Sequence, residues 1–120
     1  MFNFKKIDAW QKAVVFADCA YSHVKSFPEP ERFGPTSQLR RAAVSVPSNI
    51  AEGSSRSSRS DFARFVEIAT GSLFEVVSQA TIAQRQGFME QTAYLRFRDS
   101  AEELARILSG LRKSLLESPA

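Results

Sequence analysis

A proline in the middle of an amphipathic stretch constrains this chain more than any other feature. From Thr36 to Gly53 the sequence reads Thr-Ser-Gln-Leu-Arg-Arg-Ala-Ala-Val-Ser-Val-Pro-Ser-Asn-Ile-Ala-Glu-Gly. Leu39, Ala43, Val46 and Ile50 recur in it at four- and three-residue steps, the pattern of a helix with one apolar face. Pro47 removes one backbone donor and presses its ring on the Ala43 carbonyl, at a cost of about 3 kcal/mol. Such a segment either kinks or divides into two helices. The apolar rhythm stays in phase from Val46 to Ile50, which favours one kinked helix. Ser45, Ser48 and Asn49 cluster at the break, where their side chains are placed to satisfy the freed carbonyl.

Three further helices follow from apolar spacing. The first covers about residues 8–26, with Asp8 as N-cap, a seam of Trp10, Val14, Ala17, Tyr21 and Val24, and a second face of Ala13, Phe16 and Ala20. Phe27-Pro28-Glu29-Pro30 stops it, because prolines remove donors and push their predecessors out of helical geometry. Glu31 to Pro35 make a tight connection, with Pro35 suited to open the proline-bearing helix, about 35–53, which Gly53 ends. Ser54-Ser55-Arg56-Ser57-Ser58-Arg59-Ser60 reads as a mobile cationic linker with Ser60 as the next N-cap. The third helix, about 60–86, carries Phe62, Val66, Ala69, Leu73, Val76, Ala80 and Ala83 in alternating steps of four and three. Gly71 within it costs about 1 kcal/mol relative to Ala, which a close helix–helix approach would justify, and Gly87 is the expected left-handed C-cap. The fourth, about 90–117, follows a weak N-cap at Met89 and carries Tyr94, Phe97, Ala101, Leu104, Leu108, Leu111 and Leu115. Four seamed helices with short connections predict an all-α, antiparallel up-down-up-down four-helix bundle, a single domain over 1–120 with a proline-kinked second helix.

Composition excludes more chemistry than it admits. One cysteine, Cys19, allows no internal disulfide and suits a reducing compartment, so a cytoplasmic location is the expectation. No run of apolar residues reaches membrane-spanning length. The glycines are scattered singly rather than gathered in a phosphate loop, and the lone His23 has no partner at metal-ligand or triad spacing. Glu67, Glu75, Glu102 and Glu103 lack the Glu-x-x-His pairs that a di-metal bundle uses, so they read as structural charges. No catalytic residue, metal or cofactor is expected. The positive charge, by contrast, is concentrated. Arg32, Arg40, Arg41, Arg56, Arg59 and Arg64 face only Glu52 and Asp61 within their span, on a chain whose net charge is +3.

The stretch Gln38-Leu39-Arg40-Arg41-Ala42-Ala43-Val44-Ser45-Val46-Pro47-Ser48-Asn49-Ile50-Ala51-Glu52-Gly53 resembles the signature of a bacterial four-helix-bundle family, the large-subunit ribosomal RNA intervening-sequence proteins. The likeness extends to Phe4-Lys5-Lys6-Ile7-Asp8-Ala9-Trp10-Gln11-Lys12-Ala13 and to Leu108-Ser109-Gly110-Leu111. A more distant similarity is to the accessory protein of diversity-generating retroelements, which implies a pentameric basic barrel that binds nucleic acid. Related sequences usually hold more consecutive basic residues after Gly53, whereas here Arg56 and Arg59 are spread among serines.

Two functions of different kind are compatible with these residues. In the first, a cyclic homo-oligomer repeats Arg40, Arg41, Arg56 and Arg59 into a cationic surface that holds RNA or DNA without reading its bases. In the second, the arginines pair within and between subunits of an assembly scaffold, and Gln38 and Glu52 form a polar network that fixes register. Glu52 would then draw its cationic partner from a neighbouring helix or subunit. Val15, Phe16, Phe74, Ile107 and Leu116 fall outside the seams and are the expected interface residues. A pentamer is implied by the resemblance alone.

Overall fold

The computed structural model describes residues 2–28 and 35–117. A short 3₁₀ turn (Asn3–Lys6) precedes four α-helices: α1 (Asp8–Val24), α2 (Pro35–Ser54), α3 (Arg59–Arg85) and α4 (Gln91–Leu116). No strand occurs among the described residues. α1 packs on α2 and α4, and α3 packs on the same two helices from the opposite corner. Each adjacent pair runs antiparallel. Ser45 and Gly53 of α2 meet Ser72 and Phe65 of α3 in reversed order, and Lys12 and Phe16 of α1 meet Glu103 and Phe97 of α4. The bundle is therefore up-down-up-down, as its spacing predicts. The connection from Glu31 to Gly34 lies outside the described residues.

The core is built from the predicted seams of three helices. Leu39, Ala43, Val46 and Ile50 of α2 are buried, with Val66, Ala69, Leu73, Val76, Ala80 and Ala83 of α3 and Phe97, Ala101, Leu104 and Leu108 of α4. Each larger aliphatic or aromatic member contributes about 1.5–3 kcal/mol by leaving water. α1 buries its expected second face of Ala13, Phe16 and Ala20 with Ala17 and Val24 of the seam. It departs from expectation at Tyr21, which is exposed, and at Ala9, which joins the core. Alanines at successive turns let α1 approach its neighbours closely, and Phe16 stacks on Phe97 with centroids 4.7 Å apart and planes at 12°. Phe16 is thus a core residue, not an interface residue.

α2 runs unbroken through Pro47, which excludes two separate helices. The side chains around it do not serve the carbonyl expected. The Asn49 amide donates to the Ser45 carbonyl at 2.8 Å and to the Ser45 hydroxyl at 2.9 Å, and that hydroxyl bridges to Ser72 of α3 at 2.9 Å. The serine–asparagine cluster therefore ties α2 to α3 rather than capping Ala43, and Ser48 is exposed.

Helix termini correct several details. Ile7, not Asp8, is the N-cap of α1, and Glu90, not Met89, that of α4; neither makes a side-chain cap bond. Ser58, not Ser60, caps α3, its hydroxyl accepting from the Asp61 amide at 3.0 Å. Gly87 is left-handed at φ 81°, as expected. Its amide bonds the Gln84 carbonyl and the Phe88 amide bonds the Ala83 carbonyl, closing a Schellman motif whose Phe88 rests against Phe27.

The close approach assigned to Gly71 occurs instead at Gly53. A Cβ on Gly53 would lie 2.7 Å from the Phe65 Cβ and 2.8 Å from a Phe62 ring carbon, whereas one on Gly71 would meet nothing within 4 Å. Gly53 does not end α2, which continues to Ser54. Opposite outcomes follow for one substitution. Gly71→Ala should stabilise the protein by up to about 1 kcal/mol in denaturant melts, and Gly53→Ala should destabilise it by about 1–3 kcal/mol through overpacking. Pro47→Ala, at a buried position of an unbroken helix, should recover far less than the ~3 kcal/mol penalty of an interior proline; a gain near the full penalty would show that the surrounding packing has not adapted to it.

Candidate nucleic-acid interface

The turn between α2 and α3 is ordered by its serines. Ser54 and Ser55 donate their hydroxyls to the carbonyls of Ala51 and Glu52, and the amides of Ser55 and Arg56 continue the turn onto Glu52 and Gly53. Serine bonds to nearby backbone offer an alternative to helix, so α2 stops here and α3 restarts at the Ser58 cap. The predicted mobile linker is in fact a bonded connection only a few residues long.

That geometry gives each neighbouring arginine a partner. The Arg56 guanidinium lies 4.6 Å from the Phe65 ring centre and 3.8 Å from the Glu52 carboxylate. The Arg64 guanidinium lies 4.9 Å from the same ring and 3.3 Å from Asp61. Phe65 is buried, and two cations cover it. Arg59 turns the other way. Its Nη2 donates to the Ser114 carbonyl at 2.7 Å and its Nε to the Leu115 carbonyl at 3.3 Å. Those carbonyls end α4 and lack intrahelical donors, and they carry the negative end of the helix dipole. Arg59 is therefore a clamp on α4 rather than an unengaged linker cation.

The remaining predicted residues lie elsewhere. Arg41 and Gln38 line a hollow of about 480 Å³ between α2 and α3, with Ser45, Ser72 and Glu75. Arg40 lies 6.0 Å from the Tyr21 ring centre. Arg41 is about 20 Å from the end of α2 at 1.5 Å per residue, so the four arginines do not form one patch. Gln38 and Glu52, the residues of the expected polar network, stand near opposite ends of α2. Glu52 sits at the far end, where within the chain it meets Arg56 at 3.8 Å.

Of the expected interface residues, Phe74 is 65% exposed, and Val15 and Leu116 are also exposed. Ile107 is half-buried and lines an apolar groove between α1 and α4 with Val15 and Cys19. Phe74 flanks a second groove, between α3 and α4, with Val77 and Ala105.

Little here supports covalent chemistry. Burial raises the Cys19 thiol above its ordinary value and lowers the His23 imidazole below its own, so each is held in its neutral form. Among the described residues, no three His, Cys, Asp or Glu side chains gather as a metal site, and no helix is long and apolar enough to cross a membrane.

Comparison with known proteins agrees with the bundle. The model of the 23S rRNA-intervening sequence protein family matches residues 5–110. This chain belongs to that family. The match spans the proline-bearing α2, the bonded turn and most of α4. A solved structure of a protein of unknown function from the S23 ribosomal protein family of Bacteroides thetaiotaomicron superposes with a TM-score of 0.78 at 22% identity, covering 88% of this chain and 98% of that one. At that identity the likeness concerns the fold. No curated protein matches the chain.

Phe65, Arg64 and the N-terminal turn were not among the predicted site residues. The adjacent Arg64-Phe65 pair, one turn beyond the Ser-Arg segment, was the available signal. The Arg59 clamp has a local consequence. Arg59→Ala should lower stability by about 1 kcal/mol and speed hydrogen exchange at Leu115–Glu117, whereas Arg56→Ala should leave those amides protected.

Proposed function

We propose that this family member is a non-enzymatic, oligomeric helical bundle that binds nucleic acid through arginines without base specificity. The observation that carries the reading is the pair of guanidiniums, Arg56 and Arg64, held on the Phe65 ring at one end of the bundle. Stacking fixes their position at little further entropy cost, and their carboxylate partners are solvent-exposed. Exposed pairs of this kind contribute about 0–1 kcal/mol, so a phosphate competes with them readily. Arginine also matches phosphate by bidentate geometry. Arg40 and Arg41 supply further cations along α2. Self-association would repeat all of these around a ring, and its support is the exposed Phe74 beside apolar grooves on both flanks of α4. Five-fold symmetry and a cytoplasmic location rest on resemblance and composition.

An assembly scaffold without a nucleic-acid role is the second reading. It is favoured by the same ion pairs, since Arg56 and Arg64 already face Glu52 and Asp61 within the chain.

Salt-dependent binding separates the two. Affinity for duplex DNA should fall with a logarithmic slope of about −0.9 per phosphate neutralised. Replacing Arg56 and Arg64 together by Gln should flatten that slope and weaken binding to all sequences alike. Absence of binding to RNA and DNA at low salt leaves the scaffold. In parallel, Phe74→Glu should reduce the mass seen by light scattering while helical circular dichroism stays intact; an unaltered protein that is monomeric at micromolar concentration removes the ring.

A further inference from the structure

The 3₁₀ turn folds back against the end of α2 and leaves a hollow of about 590 Å³. Phe2, Phe4 and Phe62 give it an aromatic wall, and Asn3, Glu52 and Ser55 a polar rim. The wall is braced from behind, because Phe4 meets Phe2 and Trp10 edge-on at 6.1 and 5.1 Å. Phe2 is nonetheless 66% exposed. A large aromatic face left in water beside a concavity marks a binding surface more often than a solitary apolar residue does.

The charges around the hollow restrict what covers it. Lys5 and Lys6 are exposed on the same turn, between the lining residues Phe4 and Ile7, and Arg56 pairs with Glu52, the one charged residue of the lining. An apolar peptide or a second copy of the chain would use the aromatic wall but has no need of the cations. A nucleotide uses both, because it carries a flat π-face and a phosphate on one scaffold. Asn3 offers a donor and an acceptor at the rim, compatible with the edge of any base.

We infer that this hollow receives an unpaired base of a single-stranded nucleic acid, stacked on Phe2, with the flanking phosphates lying along Lys5, Lys6 and Arg56. The inference rests on the nucleic-acid reading above and narrows it. A base within a duplex is stacked and paired and has no free face to offer, so single strands are the ligand class. Site and ligand are sequence-tolerant, because every base has a π-face.

The test titrates the intact protein with an oligouridylate and with a blunt RNA duplex of equal phosphate number at one low salt concentration. The single strand should bind more tightly and alter the emission of Trp10, the only tryptophan, while the duplex leaves that emission unchanged. Phe2→Ala should weaken oligouridylate binding by roughly tenfold without changing duplex affinity or helical circular dichroism, and Phe2→Tyr should retain binding. If Phe2→Ala leaves oligouridylate affinity unchanged while Arg56→Gln weakens it, the base site is overturned and the arginine reading survives. If neither nucleic acid binds, both are overturned.

Discussion

The missing side chain at Gly53 sets the geometry on which the rest of this end of the bundle depends. Without a Cβ there, α2 approaches the first turn of α3 closely enough for Phe65 to pack beneath it. Phe65 then becomes a buried ring with two guanidiniums above it. The connection needs few residues because the helices it joins are already in contact, and its serines spend their hydroxyls on nearby carbonyls. A larger residue at this position would separate α2 from α3, lengthen the turn and remove the platform that orders the cations. Backbone proximity and surface charge are thus two results of one absent methyl.

How far the sequence foretold the structure depends on the kind of interaction. The apolar faces of α2, α3 and α4 were legible because long seams repeat there with large residues, and burial follows size and period. α1 was legible only in part: Ala13, Phe16, Ala17, Ala20 and Val24 lie on the expected apolar faces and are buried, but Tyr21 is exposed and Ala9 joins the core. Tyr21 outweighs Ala9 in any reading by bulk, yet small residues admit the closest neighbours. The same blindness exchanged Gly71 for Gly53. Spacing shows that a glycine lies in a helix, but only the partner helix shows whether a side chain would collide. Phe16 illustrates the reverse error: it stood outside the expected seam, and Phe97, eighty-one positions away, brought it into the core.

The arginines were the least legible part. Their clustering in sequence was plain, but a cation's partner is chosen by the fold. Arg59 found carbonyls at the end of a helix more than fifty residues later, while Arg56 and Arg64 found the same ring. Arg40 and Arg41 stayed far along α2. The N-terminal turn escaped notice because four residues of 3₁₀ helix carry no periodic signal, although its aromatic side chains shape a concavity that the four long helices alone do not make.

The arrangement of helix contacts also bears on how the chain reaches this structure. Three of the four helix–helix interfaces join neighbours in sequence, so each closes a short loop at small entropic cost. The α1–α4 interface alone joins the two ends, and the stacked rings of Phe16 and Phe97 lie at its heart. That single non-local pairing carries most of the topological delay in an otherwise fast-folding architecture. α1 consequently has the cheapest route out of the native state: released from α4, it gives up one remote interface and remains joined to α2, while α2, α3 and α4 keep their mutual packing.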